Sequence, residues 1–210
     1  MDLLRLEYDI QHHILLSRKN LRDHAIIRLI VATLSTPDEL LNLKKKDFRK
    51  VKGKDFEFYT VKLKSARGVR ISPVDEKTYK IIMSLNDGVL NLTREEIDSI
   101  VKKYSPSDRS YNAESLRNAV IKILRDSSFF EIEFESIKDV ETLYAFMLDF
   151  NPLYSGVWDE DEECIEDFIL NYSMLTGIRD VNRIAEDLCE DSKKVERALK
   201  SGRRGLLSYI

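Results

Sequence analysis

The run from Leu21 to Leu34 constrains the fold more than any other stretch of the chain. Leu21, Ile26, Ile27, Leu29, Ile30, Val31 and Leu34 leave a helix over this span almost no polar face, and a helix that is apolar all round is buried. Its most apolar part, Ala25–Leu34, is too short to cross a membrane and is interrupted by Arg28, so a core helix is expected and not a membrane span. Ser35 or Thr36 then offers an N-cap, with Pro37 at the first helical position and Asp38 and Glu39 in the first turn. A short helix through Leu40, Leu41 and Leu43 follows, and Leu3, Leu4, Leu6, Ile10 and Ile14 give an amphipathic helix ahead of the apolar run.

The hydrophobic period changes after Phe48. Phe56, Phe58 and Thr60 alternate with polar residues, Val51–Gly53 and Ala66-Arg67-Gly68 offer turns, and Val69 and Ile71 complete a β-meander that Pro73 ends. Helical patterns return at 75–86, at 93–104 behind the capping box Thr93-Arg94-Glu95-Glu96, and at 113–126. Further helices are expected at 138–150, 160–175, 180–189 and 192–201. The fold class is therefore mainly α with a small antiparallel β-meander (α+β): one domain over residues 1–155 and a helical region over 156–210.

The net charge of −3 over 210 residues conceals an asymmetry. Residues 1–126 hold 25 Lys/Arg and 18 Asp/Glu, and residues 127–210 hold 9 and 19, so the two parts carry +7 and −10. A polyanion would bind the first part and be repelled by much of the second. Cys164 and Cys189 have no cysteine or histidine at ligand spacing and read as two buried, reduced thiols. His12 and His13 point in different directions on a helix, so no metal site is expected there. No metal, nucleotide or organic cofactor is expected. Met1–Arg5 does not open a signal peptide, and a cytoplasmic protein without a membrane span is anticipated.

Four segments, Thr33–Asp47, Lys64–Pro73, Asn91–Ile97 and Glu114–Arg117, stand in an order and spacing by which residues 18–125 resemble the catalytic domain of the tyrosine recombinases, the phage-integrase family. That family carries T-G-x-R-x-x-E-L followed by L-x-L and an aspartate. Here Thr33, Glu39, Leu40, Leu43 and Asp47 match, and Thr36 stands at the catalytic arginine position. The family's meander bears a lysine and ends in R-x-x-P. Lys64-Ser65-Ala66-Arg67-Gly68-Val69-Arg70-Ile71-Ser72-Pro73 places Lys64 on the catalytic lysine. H-x-L-R appears as Glu114-Ser115-Leu116-Arg117, with the arginine retained and the histidine replaced by Glu114. Asn91–Ile97 resembles the helix start between these motifs.

The resemblance implies an attack by tyrosine on a phosphodiester, two arginines neutralising the transition state, a lysine protonating the leaving oxygen and a histidine moving the nucleophile's proton. Thr36 removes one such charge, and Glu114 adds repulsion or pairs with Arg117 three residues on. Tyr144 and Tyr154 bracket the place of the nucleophile. Tyr144 sits at helical spacing with Val140, Met147 and Leu148, which suits packing. Tyr154, in Asn151-Pro152-Leu153-Tyr154-Ser155-Gly156, is more turn-like and is expected to be the more exposed.

Binding is better supplied than catalysis. Lys44, Lys45 and Lys46 precede the meander, with Arg49, Lys50, Lys52 and Lys54 beside them and Lys62, Arg67 and Arg70 on it, and each phosphate such residues neutralise adds to affinity at low salt. With residues 1–17 ahead of the recombinase-like part, a closed clamp around DNA is not expected from one chain. Self-association is left open. A second signal lies at 180–200, where Ile184, Ala185, Leu188, Val195 and Leu199 fit either a helix-turn-helix or a plain helical hairpin. Cys189 stands where a glycine is usual in the former, and Lys193, Lys194 and Arg197 would face outward. The expected partner is double-stranded DNA, bound without efficient strand cleavage. An active divergent recombinase and a protein-interaction module on the same fold are the alternatives.

Overall fold

The computed structural model describes residues 3–41, 43–54, 56–86, 90–127, 137–156, 158 and 162–207. The chain forms two units, residues 1–158 and 159–210, against the division after residue 155 expected from sequence. Among the described residues no helix is long and apolar enough to cross a membrane.

The first unit is built around α2 (Leu21–Thr33), in which every residue from Asp23 to Thr33 is buried. Asn20 starts this helix by accepting a hydrogen bond from the Asp23 N–H. Around it pack α1 (Leu3–Ser17), α4 (Glu76–Ser84), α5 (Arg94–Lys103) and α6 (Ala113–Ser127). The short α3 (Pro37–Leu40) begins with a complete capping box between Thr36 and Glu39 and stops at Leu40, short of the Leu43 expected. Thr93 and Glu96 make the same box at the start of α5. α7 (Val140–Phe150) is capped by Asp139.

The meander is a three-stranded antiparallel sheet in the order β1 (Phe48–Lys52), β2 (Glu57–Ser65), β3 (Gly68–Val74), entered from a single helical turn at Lys45–Asp47. Its register pairs Val61 with Phe48 and Ser72, Leu63 with Arg70, Lys62 with Ile71 and Lys64 with Val69. Because side chains alternate across a strand, Phe48, Val61, Leu63, Arg70 and Ser72 share one face. Arg49, Lys62, Lys64, Val69 and Ile71 share the other.

Arg28 is the exception on α2. It is completely buried, with Nε donating to Thr78 Oγ1 at 2.9 Å and Nη2 to Asp75 Oδ1 at 2.7 Å. Asp75 also caps α4 by accepting from the Thr78 N–H at 3.0 Å. The pair joins α2 to the junction of β3 and α4. Removing one member of a buried pair strands the other charge, so Arg28→Met is expected to cost about 3–5 kcal/mol. Urea unfolding of Arg28→Met, compared with Arg28→Met combined with Asp75→Asn, checks this, because the double variant recovers part of the loss.

A second polar network lies between α1 and the α5–α6 connection. Asp9 is buried and accepts from Arg5 at 2.9 Å, Arg109 at 3.4 Å and the Tyr111 hydroxyl at 2.7 Å. Burial, reinforced by Asp9, pushes the Tyr111 hydroxyl up to about 12. His13 beside it bonds the Asp9 carbonyl through Nδ1 at 2.6 Å, and its burial lowers it from 6.5 to about 4. The unfolded chain therefore takes up a proton in this window that the folded chain refuses. Stability contributed by neutral His13 is full above pH 6.5, falls as pH drops through this interval and is gone below about 4. The loss amounts to about 3 kcal/mol. Urea midpoints across this range should show the decline, and His13→Gln should flatten it.

Candidate nucleic-acid interface

Four of the sequence-predicted residues, Thr36, Arg70, Arg117 and Tyr154, gather at the end of α2, and their arrangement follows from a hydrogen-bond problem. The last carbonyls of a helix have no partner within it, and this helix ends inside the unit. Leu34 turns the chain with φ 53° and ψ 36°, and its N–H closes on the Ile30 carbonyl. Side chains satisfy the rest. Asn151 Nδ2 donates to the Val31 carbonyl at 3.1 Å and the Tyr154 hydroxyl to the Ala32 carbonyl at 2.9 Å. Ser72 Oγ and Arg70 Nη2 reach the Thr33 carbonyl at 3.3 and 3.1 Å. Arg117 Nε reaches the Leu34 carbonyl at 2.9 Å, with Arg70 Nη2 at 3.3 Å from the same oxygen.

Each recombinase-like position thus has a defined occupation. Thr36 Oγ1 caps α3. Arg117 also holds Glu114 at 3.1 Å, the i, i+3 pair anticipated from the sequence. Arg70 clasps Glu39 with two bonds, 2.6 and 3.0 Å. Burial alone would raise the Glu39 carboxyl, yet the Arg70 guanidinium and the Thr36 N–H hold it below its ordinary value. Lys64 lies on the opposite face of the sheet from Arg70, its Nζ 2.7 Å from Asp47 Oδ1.

Three expectations need correction. Tyr154 lies in a turn as expected but is half-buried and not exposed: its hydroxyl is committed to Ala32, and burial pushes it well above its ordinary value. Its ring meets Tyr144, which in turn packs on Phe58 at 5.1 Å between centroids. Arg70 faces α2 and α3 and not the open side of the sheet. Cys189 is exposed, and the side chain of Cys164 lies outside the described residues.

The open part of the sheet carries the free cations. Arg49, Lys62 and Arg67 are exposed, as are Lys44 and Lys46 just before β1, and none has a carboxylate partner among the described residues. Lys45 differs, since its Nζ donates to the Met83 carbonyl at 3.1 Å. Val69 and Ile71 stand among the cations, 61% and 56% exposed. The sequence grouped these lysines by proximity in the chain. It missed that Arg49 shares the face of Lys62, which only the register with Thr60 reveals.

In the second unit α8 (Glu162–Thr176), α9 (Val181–Leu188) and α10 (Ser192–Leu207) pack together. Ile184, Ala185, Leu188 and Val195 are buried as the pattern required, and Ala198 is fully buried where Leu199 was expected. α10 extends past the predicted end at 201. Cys189 adopts φ 51° and ψ 39°, the left-handed geometry that a glycine would take in such a turn.

Together these features define an α+β unit with a capped central helix and a cationic sheet face, followed by a three-helix unit. The chain belongs to one family with an uncharacterized protein of Archaeoglobus fulgidus, to which it is 50% identical over 210 residues, covering 100% of this chain and 98% of that one. No family model and no solved structure matches it.

If the Tyr154 hydroxyl serves the helix end, Tyr154→Phe strands the Ala32 carbonyl and lowers stability by about 1–2 kcal/mol. Lys62→Gln, on the open face, changes it by less than about 0.5 kcal/mol. Chemical denaturation of the two variants makes the comparison.

Proposed function

We propose that the chain binds duplex DNA through the open face of its sheet and does not cut it. One observation carries the reading. The cations at recombinase-like positions, Lys64, Arg70 and Arg117, are each held by a carboxylate, Asp47, Glu39 and Glu114 respectively. Arg49, Lys62, Arg67, Lys44 and Lys46 have no such partner among the described residues. Free cations release condensed counterions when they meet phosphates, whereas a paired cation must first lose its carboxylate. Val69 and Ile71 between them suit apolar contact with the walls of a groove.

Cleavage lacks support at each step. A transition-state phosphate wants two guanidinium forks, but Thr36 supplies only a hydroxyl already used as a cap. Glu114 puts a carboxyl beside Arg117. The Tyr154 oxygen belongs to a half-buried phenol that donates to the Ala32 carbonyl.

Fluorescence anisotropy with a labelled duplex should show binding at low salt that weakens steeply as salt rises. Lys62→Glu with Arg67→Glu should reduce the slope of log affinity against log salt by about 2, one for each lost phosphate contact. A nicked suicide duplex should give no covalent adduct. An adduct that Tyr154→Phe abolishes would replace this reading with an active recombinase.

A further inference from the structure

The second unit is acidic as a whole, yet its charge is sorted. Of the eight Lys/Arg between residues 159 and 210, six lie on α10, against a single acidic residue there, Glu196. Lys193, Arg197 and Lys200 follow at i, i+4 and i+7 and fall on one stripe. Val195 and Ala198 occupy the opposite, buried side. Lys200 is paired within the helix to Glu196. Lys193 and Arg197 are exposed and have no carboxylate partner among the described residues.

The connection to α9 gives this stripe its direction. Three residues, Cys189 to Asp191, join the helices, within the turn length of a helix-turn-helix. Cys189 reverses the chain in the left-handed region, and the next N–H, of Glu190, bonds back to the Ala185 carbonyl. Asp191 Oδ1 then accepts from the N–H groups of Lys193 and Lys194 at 2.9 and 3.3 Å. Of the four acidic residues around the turn, Glu186, Asp187, Glu190 and Asp191, two are engaged inside the unit. Asp191 caps α10, and Asp187 holds the Tyr172 hydroxyl at 2.6 Å and Arg183 at 3.0 Å.

We infer that residues 181–207 are a helix-turn-helix whose α10 lies in the major groove of double-stranded DNA, with Lys193 and Arg197 reaching base edges or the flanking phosphates. The inference rests on the reading that the ligand is duplex DNA, and it adds a second surface with a different task. The sheet face grips the backbone of any sequence, and α10 reads one.

Selection of the full-length chain against a pool of random-sequence duplexes, followed by anisotropy on an enriched and an unenriched duplex, tests it. The expected result is an enriched motif, with Arg197→Ala weakening the enriched duplex at least about fivefold more than the unenriched one. Lys62→Glu with Arg67→Glu should weaken both alike. Far-UV circular dichroism establishes that each variant is folded. Arg197→Ala and Lys193→Ala acting equally on both duplexes, or on neither, would overturn the inference while leaving the sheet-face reading in place. Loss confined to the α10 variants would keep the inference and remove the sheet-face reading. No duplex binding at low salt, or binding to single-stranded RNA alone, would overturn both.

Discussion

The end of α2 is where the first unit is decided. A helix with no polar face must be surrounded, and a surrounded helix cannot leave its final carbonyls to water. Donors must then come from the elements that bury it: Asn151 and Tyr154 after α7, Ser72 and Arg70 from β3, Arg117 from α6. Each bond fixes an element in place. Two of the donors are guanidinium groups, which also complement the negative end of the helix dipole. The left-handed turn at Leu34, unusual for a branched apolar residue, is held by the core around that side chain, which is 8% exposed.

This arrangement bears directly on what the site does. The same guanidinium cannot serve a helix carbonyl, a glutamate and an incoming phosphate with full strength at once. Arg70 and Arg117 are therefore structural cations in the present geometry, and a change that freed them would loosen the junction they hold. Polar chemistry in this unit is turned inward, and the uncompensated charge is left to the sheet face.

Sequence rules worked where the physics is local. The N-cap ahead of Pro37, the capping box at Thr93 and the apolar run of α2 are short-range patterns, and the structure contains each of them, the first as a full box between Thr36 and Glu39. They failed where partners are distant. Arg28 was visible as a flaw in an apolar run, but its partner Asp75 lies 47 residues away. Arg70 was counted with Lys62 and Arg67 because they are neighbours in the chain, while the strand register sends it to the other face. The composition of Asn151–Gly156 reads as an exposed turn, and nothing local announces that Tyr154 will find a helix end. At Cys189 a glycine rule based on propensity argued against the geometry that the chain adopts anyway.

The whole-chain acidity is a poor guide to what this protein can bind, because many of its carboxylates are committed to helix starts or to buried cations. Asp75, Asp139, Asp180 and Asp191 accept from the first N–H groups of α4, α7, α9 and α10. Glu39 and Glu96 close capping boxes, while Asp9 and Asp47 are buried against cations. A carboxylate at a helix start is held by the positive end of the helix dipole, which partly offsets its field close by. Arg49, Lys62 and Arg67 on the open part of the sheet and Lys193 and Arg197 on α10 have no such carboxylate partner among the described residues. The field that a polyanion meets on approach is therefore set by local surplus and not by the net charge of −3.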